Sequence, residues 1–419
     1  MAAVVESAPK KQKTSATPPR PSHYKPADFL DEAFLRDHCR FILDFYAISG
    51  PVDANGGYNQ NYYDDGSLFD TEFKQIVSSC RMLANYALGA SVTDRPAYME
   101  TAQHGLDFLE SVHWRSDSKY WAFTVRGNEP EDMTQQCYGY AFILLAYAAA
   151  RKTGLLSDNK KLIEIFDIFE ERFWLAEHGL YADEISAEGV LSDYRGQNSN
   201  MHMCEAMIAA YEATDDNRFL ERAKVLAENM TIRQAGKTDS NQIWEHYNTS
   251  FEPDLDYNRD DPKNLYRPWG FQPGHQAEWS KMLVTLNRYA PADWMLPRAC
   301  ELFDKAYELS WDKEHGGMVY GYDLEGKWCD TDKYFWVQAE SFATAAMLLQ
   351  ATGDAKYKKM YDALWNYCWA HFIDHTNGAW YRILNQDNSK ITNEKSAAGA
   401  KCDYHTLNSV FEVLKTLDL

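Results

Sequence analysis

The sequence predicts an all-α fold: an (α/α)6 barrel of six helical hairpins in a closed ring, with short β-hairpins in the loops. Three observations lead there. Apolar residues recur at i, i+3 and i+4 almost throughout the 419 residues. An aromatic, a polar turn, a glycine and a second aromatic recur with a period near 60. That period exceeds the roughly 34–47 residues of common solenoid repeats, and about six such units account for nearly the whole chain.

The first clear helix runs from Asp70, where DTEFKQIVSSCRMLANYALG sets Phe73, Ile76, Val77, Cys80, Leu83, Ala84, Ala87 and Leu88 on one stripe. Asp70 reads as its N-cap and Gly89 as its stop. Similar apolar helices follow at 135–151, 199–214, 274–290, 335–352 and 403–417. Amphipathic helices lie between them, near 95–114, 159–174, 217–233, 295–311 and 355–372. These end in the recurrent signature: FWLAEHGLYADE (173–184), SWDKEHGGMVYGYD (310–323) and HFIDHTNGAWYRIL (371–384). HWRSDSKYWAFTV (113–125) is a variant without the glycine. The fourth unit carries a connection over 236–274 that is long for a compact domain, and such connections are often lids or binding loops. Its Trp244, Tyr247, Tyr257, Arg259, Tyr266, Arg267 and Trp269 are an odd set to leave in water, so a lid is expected. Residues 1–25 are polar, with Pro and Lys, and read as a disordered tail. Residues 26–419 then form one domain.

Composition narrows the partners. With 42 Lys and Arg against 62 Asp and Glu the formal charge is −20, which argues against nucleic acid, whose phosphates need clustered cations. The 20 Phe, 27 Tyr and 13 Trp exclude bulk disorder. Eight cysteines without a CxxC pair read as reduced thiols, hence a cytoplasmic protein. The longest apolar run, Tyr138 to Ala150, is short of the ~20 residues a membrane span needs, so no membrane partner is expected.

In such a barrel the chemistry belongs at the N-terminal ends of the inner helices. The sequence places there Arg81, the segment Asn198-Ser199-Asn200-Met201-His202, His275 with Glu278, Trp336 with Glu340, and Tyr404-His405. A single histidine at a helix start is commonly a cap or a core residue, but three at equivalent points of successive repeats favour function. His275 and Glu278 lie three apart on one helix face, so the carboxylate can orient the imidazole. No HExxH run completes a metal site, and no GxxxxGK[ST], GxGxxG or GxSxG motif is present. Glu278 and Glu340 could serve a glycoside hydrolase, whose chemistry needs two carboxylates but not three histidines.

The segments DYRGQNSNMHMCEAM (193–207), EHYNTSFEPDLDYNRDDP (245–262), GFQPGHQAEWSKML (270–283) and DYH (403–405) resemble the N-acylglucosamine 2-epimerase superfamily, closest to its aldose–ketose (mannose) isomerase branch. The resemblance covers about residue 30 to the end. It implies a cofactor-independent, metal-free isomerase acting on a free monosaccharide, D-mannose to D-fructose, through a cis-enediolate. By that resemblance His405 is the base at C2, His275 the second acid/base, and Glu278 its orienting carboxylate. Arg81, Asn200, His202, Trp336, Glu340 and Trp380 would hold the sugar. The segment EKSAAGAKCDYH (394–405) has no tryptophan, where some relatives carry an aromatic. Return of the proton to C2 from the opposite face would make the same site a sugar 2-epimerase. A homo-oligomer is compatible with all of this.

Overall fold

The computed structural model describes residues 23–399 and 402–418. Among them are twelve α-helices: α1 Glu32–Tyr46, α2 Ile76–Val92, α3 Ala97–Phe108, α4 Cys137–Lys152, α5 Lys160–Arg172, α6 Gln197–Thr214, α7 Asn217–Glu228, α8 Pro273–Tyr289, α9 Met295–Ser310, α10 Phe335–Thr352, α11 Ala355–His371 and α12 Tyr404–Leu417. The even-numbered helices are buried nearly all round, with apolar residues on most faces and buried polar groups such as Arg81, His202, Glu278, Lys281 and Glu340 among them. They touch in the order α2, α4, α6, α8, α10, α12, and α12 touches α2 again. Each odd-numbered helix from α3 to α11 backs the helix before it, and α1 backs α12 and α2.

The periodicity locates eleven of these helices and leaves out α1, which Asp31 caps by accepting a hydrogen bond from the Phe34 amide at 2.7 Å. The expected start at Asp70 is displaced: α2 begins at Ile76, and Phe73–Gln75 is a strand paired with Thr124–Arg126. Asp70 does accept from the amides of Glu72 and Phe73, at 2.9 and 3.1 Å, but this closes a turn into the strand. An Asx turn and an N-cap use the same side-chain chemistry, which is why the sequence confuses them. Gly89 does not stop α2 either. A Cβ there would lie 2.5 Å from Leu43 Cδ1, so the glycine lets α1 approach.

The recurrent signature is a tight hairpin at the end of each outer helix, as in Trp114–Arg115 with Tyr120–Trp121 and Trp174–Leu175 with Leu180–Tyr181. Five residues after its opening residue each turn takes a left-handed conformation, at Gly179 (φ 62°), Gly316 (φ 74°) and Gly378 (φ 101°). In the variant without glycine, Lys119 occupies the same place with φ 62°. The repeat therefore survives in backbone geometry where it fails in sequence.

A second regularity ties the repeats together. The residues just before each inner helix pair with the hairpin that precedes the next one. The pairs are Gln75 with Thr124, Gln136 with Glu184, Gly196 with His246, Phe271 with Tyr322, Tyr334 with Ile383, and Ser396 with Tyr62. The last of these joins the C-terminal repeat to the N-terminal one.

Trp380, expected at the sugar, is in the core: its Nε1 donates to His38 Nε2 at 2.9 Å among Phe342, Trp365 and Phe372. Residues 1–22 of the expected tail lie outside the described residues. His23, at its end, stacks on Phe41 and Trp369, and Lys25 Nζ bonds Asn366. The ordered fold therefore begins before residue 26. The 236–274 connection is tied to α8, where Gln276 Nε2 donates to Ile243 O at 2.8 Å, and is bonded within itself. Trp244 Nε1 donates to Asp254 O at 3.0 Å and Trp269 Nε1 to Leu255 O at 2.7 Å, with both rings buried.

Because Lys119 is exposed and pays the left-handed penalty that glycine avoids, Lys119→Gly should raise stability by about 0.5–1 kcal/mol. Urea denaturation checks this; a loss of stability would mean that the hairpins are not equivalent.

Candidate functional site

A cavity of about 600 Å³ lies over the N-terminal ends of the inner helices. All six reach it within their first two turns: Arg81 from α2, Tyr138 from α4, His202 from α6, His275 and Glu278 from α8, Trp336 from α10 and His405 from α12. None of these helices has a side-chain N-cap hydrogen bond among the described residues. The hairpin belt caps four of them instead. Ile76 N donates to Phe123 O, Cys137 N to Asp183 O, Gln197 N to Glu245 O and Phe335 N to Arg382 O, at 2.8–3.1 Å. At α8 the first residue is Pro273, which has no N–H to satisfy. The positive ends of the helix dipoles thus converge on the cavity floor.

Each of the three histidines rests its Nδ1 on a carboxylate. His405 Nδ1 is 2.7 Å from Glu340 Oε1, His202 Nδ1 is 2.9 Å from Glu205 Oε2, and His275 Nδ1 is 2.9 Å from both oxygens of Glu245. A carboxylate at Nδ1 fixes that nitrogen as the donor and leaves Nε2 as the base. The carboxylates are held in turn. Glu340 Oε2 accepts from Lys281 Nζ at 2.5 Å, Glu205 Oε1 from Tyr404 Oη at 3.0 Å, and Glu245 Oε2 from Gln197 Nε2 at 3.0 Å. Trp336 lies between two of the histidines, its ring 5.1 Å from that of His275 and 5.5 Å from that of His405. The Arg81 guanidinium bonds Tyr138 Oη at 3.0 Å and lies 4.2 Å over Phe142 and 4.9 Å over Tyr404.

Burial, followed by the charge of Arg81, drives the His405 pKa well below its ordinary 6.5. Its ring is therefore neutral, and the contact with Glu340 is a hydrogen bond rather than an ion pair. Burial also lowers His202, against the pull of Glu205. Burial alone would raise Glu205, but the hydrogen bond from His202 and the charge of Lys281 bring it down to about 2. Glu340 is raised by burial against Lys281, and Glu278 is raised well above 4.5 by burial and then by Glu340. Ligand atoms of Glu278, Glu340 and His405, and of His202, Glu205 and Glu278, come within 4.8 Å of one another, a spacing that could hold a cation. Lys281 and Arg81 already supply positive charge there.

Of the residues expected from sequence, Arg81, His202, His275, Glu278, Trp336 and His405 border the cavity, and Glu340 lies behind His405. Two do not take part. Trp380 is in the core, as described. Asn200 braces a hairpin on α6, its amide bonding Tyr181 N and O at 2.8 and 3.0 Å, while Asn198 borders the cavity instead. The expected pairing of Glu278 with His275 is also replaced. His275 meets Glu245, and Glu278 Oε1 lies 3.8 Å from His405 Nδ1. The i, i+3 rule holds at His202 and Glu205 instead. Sequence reasoning missed Glu245, Lys281 and Glu205. Lys281 and Glu205 were legible as charged residues on otherwise apolar helix faces. Glu245 opens one of the segments that carry the family resemblance, but nothing in its local pattern pairs it with His275.

The model of the N-acylglucosamine 2-epimerase family matches residues 56–409. The chain is 47% identical to a D-mannose isomerase of Marinomonas mediterranea, covering 93% of this chain and 99% of that one. It is 31% identical to a D-mannose isomerase of Pseudomonas cannabina pv. alisalensis, covering 83% and 84%. A solved crystal structure of a D-mannose isomerase superposes with a TM-score of 0.91 at 46% identity, covering 94% of this chain and all of that one. With its six-helix cavity and its histidine–carboxylate pairs, the chain belongs to the N-acylglucosamine 2-epimerase family.

Proposed function

We propose that the protein is a D-mannose isomerase, converting D-mannose to D-fructose by histidine-mediated proton transfer without cofactor or metal. The observation that carries this reading is the trio of carboxylate-backed histidines around one cavity of about 600 Å³, a size suited to a small ligand. The names of the relatives at 47% and 31% identity point to the same substrate. The contact order of the inner helices supports an (α/α)6 barrel formed as one domain over about residues 26–419. A free sugar as the only partner fits a cytoplasmic enzyme; no described helix is long and apolar enough to cross a membrane.

In this reading Trp336 presents a flat face to the sugar between His275 and His405. His275, basic at Nε2 because Glu245 holds Nδ1, opens the pyranose ring. His405, neutral and oriented by Glu340, removes the C2 proton and returns it to C1. Arg81 and the converging helix ends stabilise the negative charge that develops on oxygen.

Incubation with D-mannose in D2O, followed by NMR, tests the product. Fructose supports the isomerase, whereas glucose alone would make the protein a 2-epimerase. His405→Ala should reduce turnover by about 10³-fold with the fold intact by circular dichroism. Retention of more than a tenth of wild-type activity would sink the role. Since the His405 pKa is driven below 6.5 and only the neutral ring is a base, kcat/KM should stay level as pH falls through 6.5. A decline centred at 6.5 or above would contradict a buried base. Glu245→Gln, which keeps size but removes charge at His275, should lower kcat/KM by about 10–100-fold with little change in Tm.

A further inference from the structure

The proton inventory of the proposed isomerisation leaves one transfer without an owner. An open-chain aldose has a carbonyl at O1 and a hydroxyl at O2; the ketose has the reverse. One proton must therefore move from C2 to C1 and another from O2 to O1. His405 accounts for the first only.

Glu278 is placed for the second. It borders the cavity, and its Oε2 is buried with no hydrogen-bond partner among the described residues. The other carboxylates of the cluster are engaged: Glu205 by His202, Tyr404 and Asn408, Glu340 by His405 and Lys281, and Glu245 by His275 and Gln197. Orienting a histidine does not explain it, since His275 Nδ1 is taken by Glu245 and His405 Nδ1 by the closer Glu340.

The groups that face Glu278 also set its charge. They are Arg81 on α2, Tyr138 on α4, His202 and Glu205 on α6, His275 and Lys281 on α8, Glu340 on α10, and Tyr404 and His405 on α12. His202 and His405 are depressed toward the neutral form, and both tyrosines are raised. Two cations, Arg81 and Lys281, thus stand against three buried carboxylates. Glu340 holds Lys281 directly and Glu205 is the most acidic, so the pull of Lys281 and Arg81 on Glu278 is outweighed by burial and by Glu340.

Resting on the isomerase reading above, we propose that Glu278 enters the reaction as an uncharged carboxylic acid and carries the hydroxyl proton from O2 to O1. In the first half, His405 Nε2 takes the C2 proton and the C2–H electron pair forms the C1–C2 double bond. The carbonyl π pair moves onto O1, which takes the Glu278 proton. This yields a neutral cis-enediol, imidazolium and carboxylate. In the second half, the carboxylate takes the O2 proton and the O2–H pair forms the C2 carbonyl. The C1–C2 π pair then takes the imidazolium proton at C1. Both residues finish as they began, and no oxidant or co-reactant is required.

The test is Glu278→Gln, which keeps the shape and a hydrogen-bond donor but cannot exchange a proton. In D2O, fructose formation from D-mannose should fall by at least about 100-fold. Deuterium wash-in at C2 of the recovered mannose should fall by less than about 10-fold, because exchange at carbon needs only His405 and a donor to O1. A parallel loss of both, or near-normal fructose formation, overturns the proposal. The wild-type enzyme gives a second measurement that does not depend on the variant folding. As pH rises and Glu278 ionises, the ratio of fructose formed to C2 exchange should fall; a ratio that rises with pH overturns the proposal. A wild-type enzyme that makes no ketose from mannose defeats the isomerase reading itself. An enzyme that does, with both rates lost together in Glu278→Gln, defeats only the role of Glu278.

Discussion

The structure depends on one small interaction made at successive junctions of the repeat: the ladder of one to three residue pairs between the segment entering each inner helix and the hairpin before the next. The inner helices are buried on nearly every side, and their apolar contacts alone would let them slide along one another. The ladders fix their height. Gln75, Gln136, Gly196, Phe271 and Tyr334 each precede an inner helix by one or two residues and each pair forward. The same hairpins supply the carbonyls that cap the helices, so side-chain caps are not needed at the cavity floor. One set of backbone hydrogen bonds thereby sets the register of the fold and clears space for functional side chains.

Electrostatics follows from that geometry. Helices aligned at their N-terminal ends bring His202, His275 and His405 to one level, and burial at that level would strip the histidines of charge and the carboxylates of acidity. The pairing of each Nδ1 with a carboxylate satisfies both partners and leaves three Nε2 atoms as bases. The buried Lys281 has its place in this frame. Its ammonium bonds Glu340, and burial, which would lower its pKa, is overcome chiefly by Glu340 and Glu205. Removing either member of such a pair would leave an uncompensated buried charge.

What the sequence revealed, and what it hid, follows the range of the interactions. Helices with a continuous apolar stripe were legible because the stripe is local, and the recurring hairpin was legible because its aromatics and glycine are adjacent in the chain. Asp70 misled because a turn and a cap use the same side-chain bond. Trp380 was expected at the sugar and lies in the core, since an indole serves either place and only the partner, here His38, decides. Asn200 and Asn198 differ by two residues, which on a helix is more than half a turn, so one braces a hairpin and the other faces the cavity. Glu245 reaches His275 from 30 residues away along an irregular connection, and no periodicity encodes that contact.

The same geometry separates two kinds of chemistry that a pair of carboxylates could serve. A glycoside hydrolase needs two carboxyl groups directed at the substrate from opposite sides of the scissile bond. Here Glu340 is turned toward His405 and Lys281, Glu245 toward His275, and Glu205 toward His202 and Tyr404. Each acts on the cavity through an imidazole, a group suited to taking a proton from carbon and giving it back. Of these four carboxylates, Glu278 is the one with a buried oxygen that has no hydrogen-bond partner among the described residues. A site with three backed bases and one unengaged carboxyl is equipped to move protons within a sugar, not to cleave a bond between two.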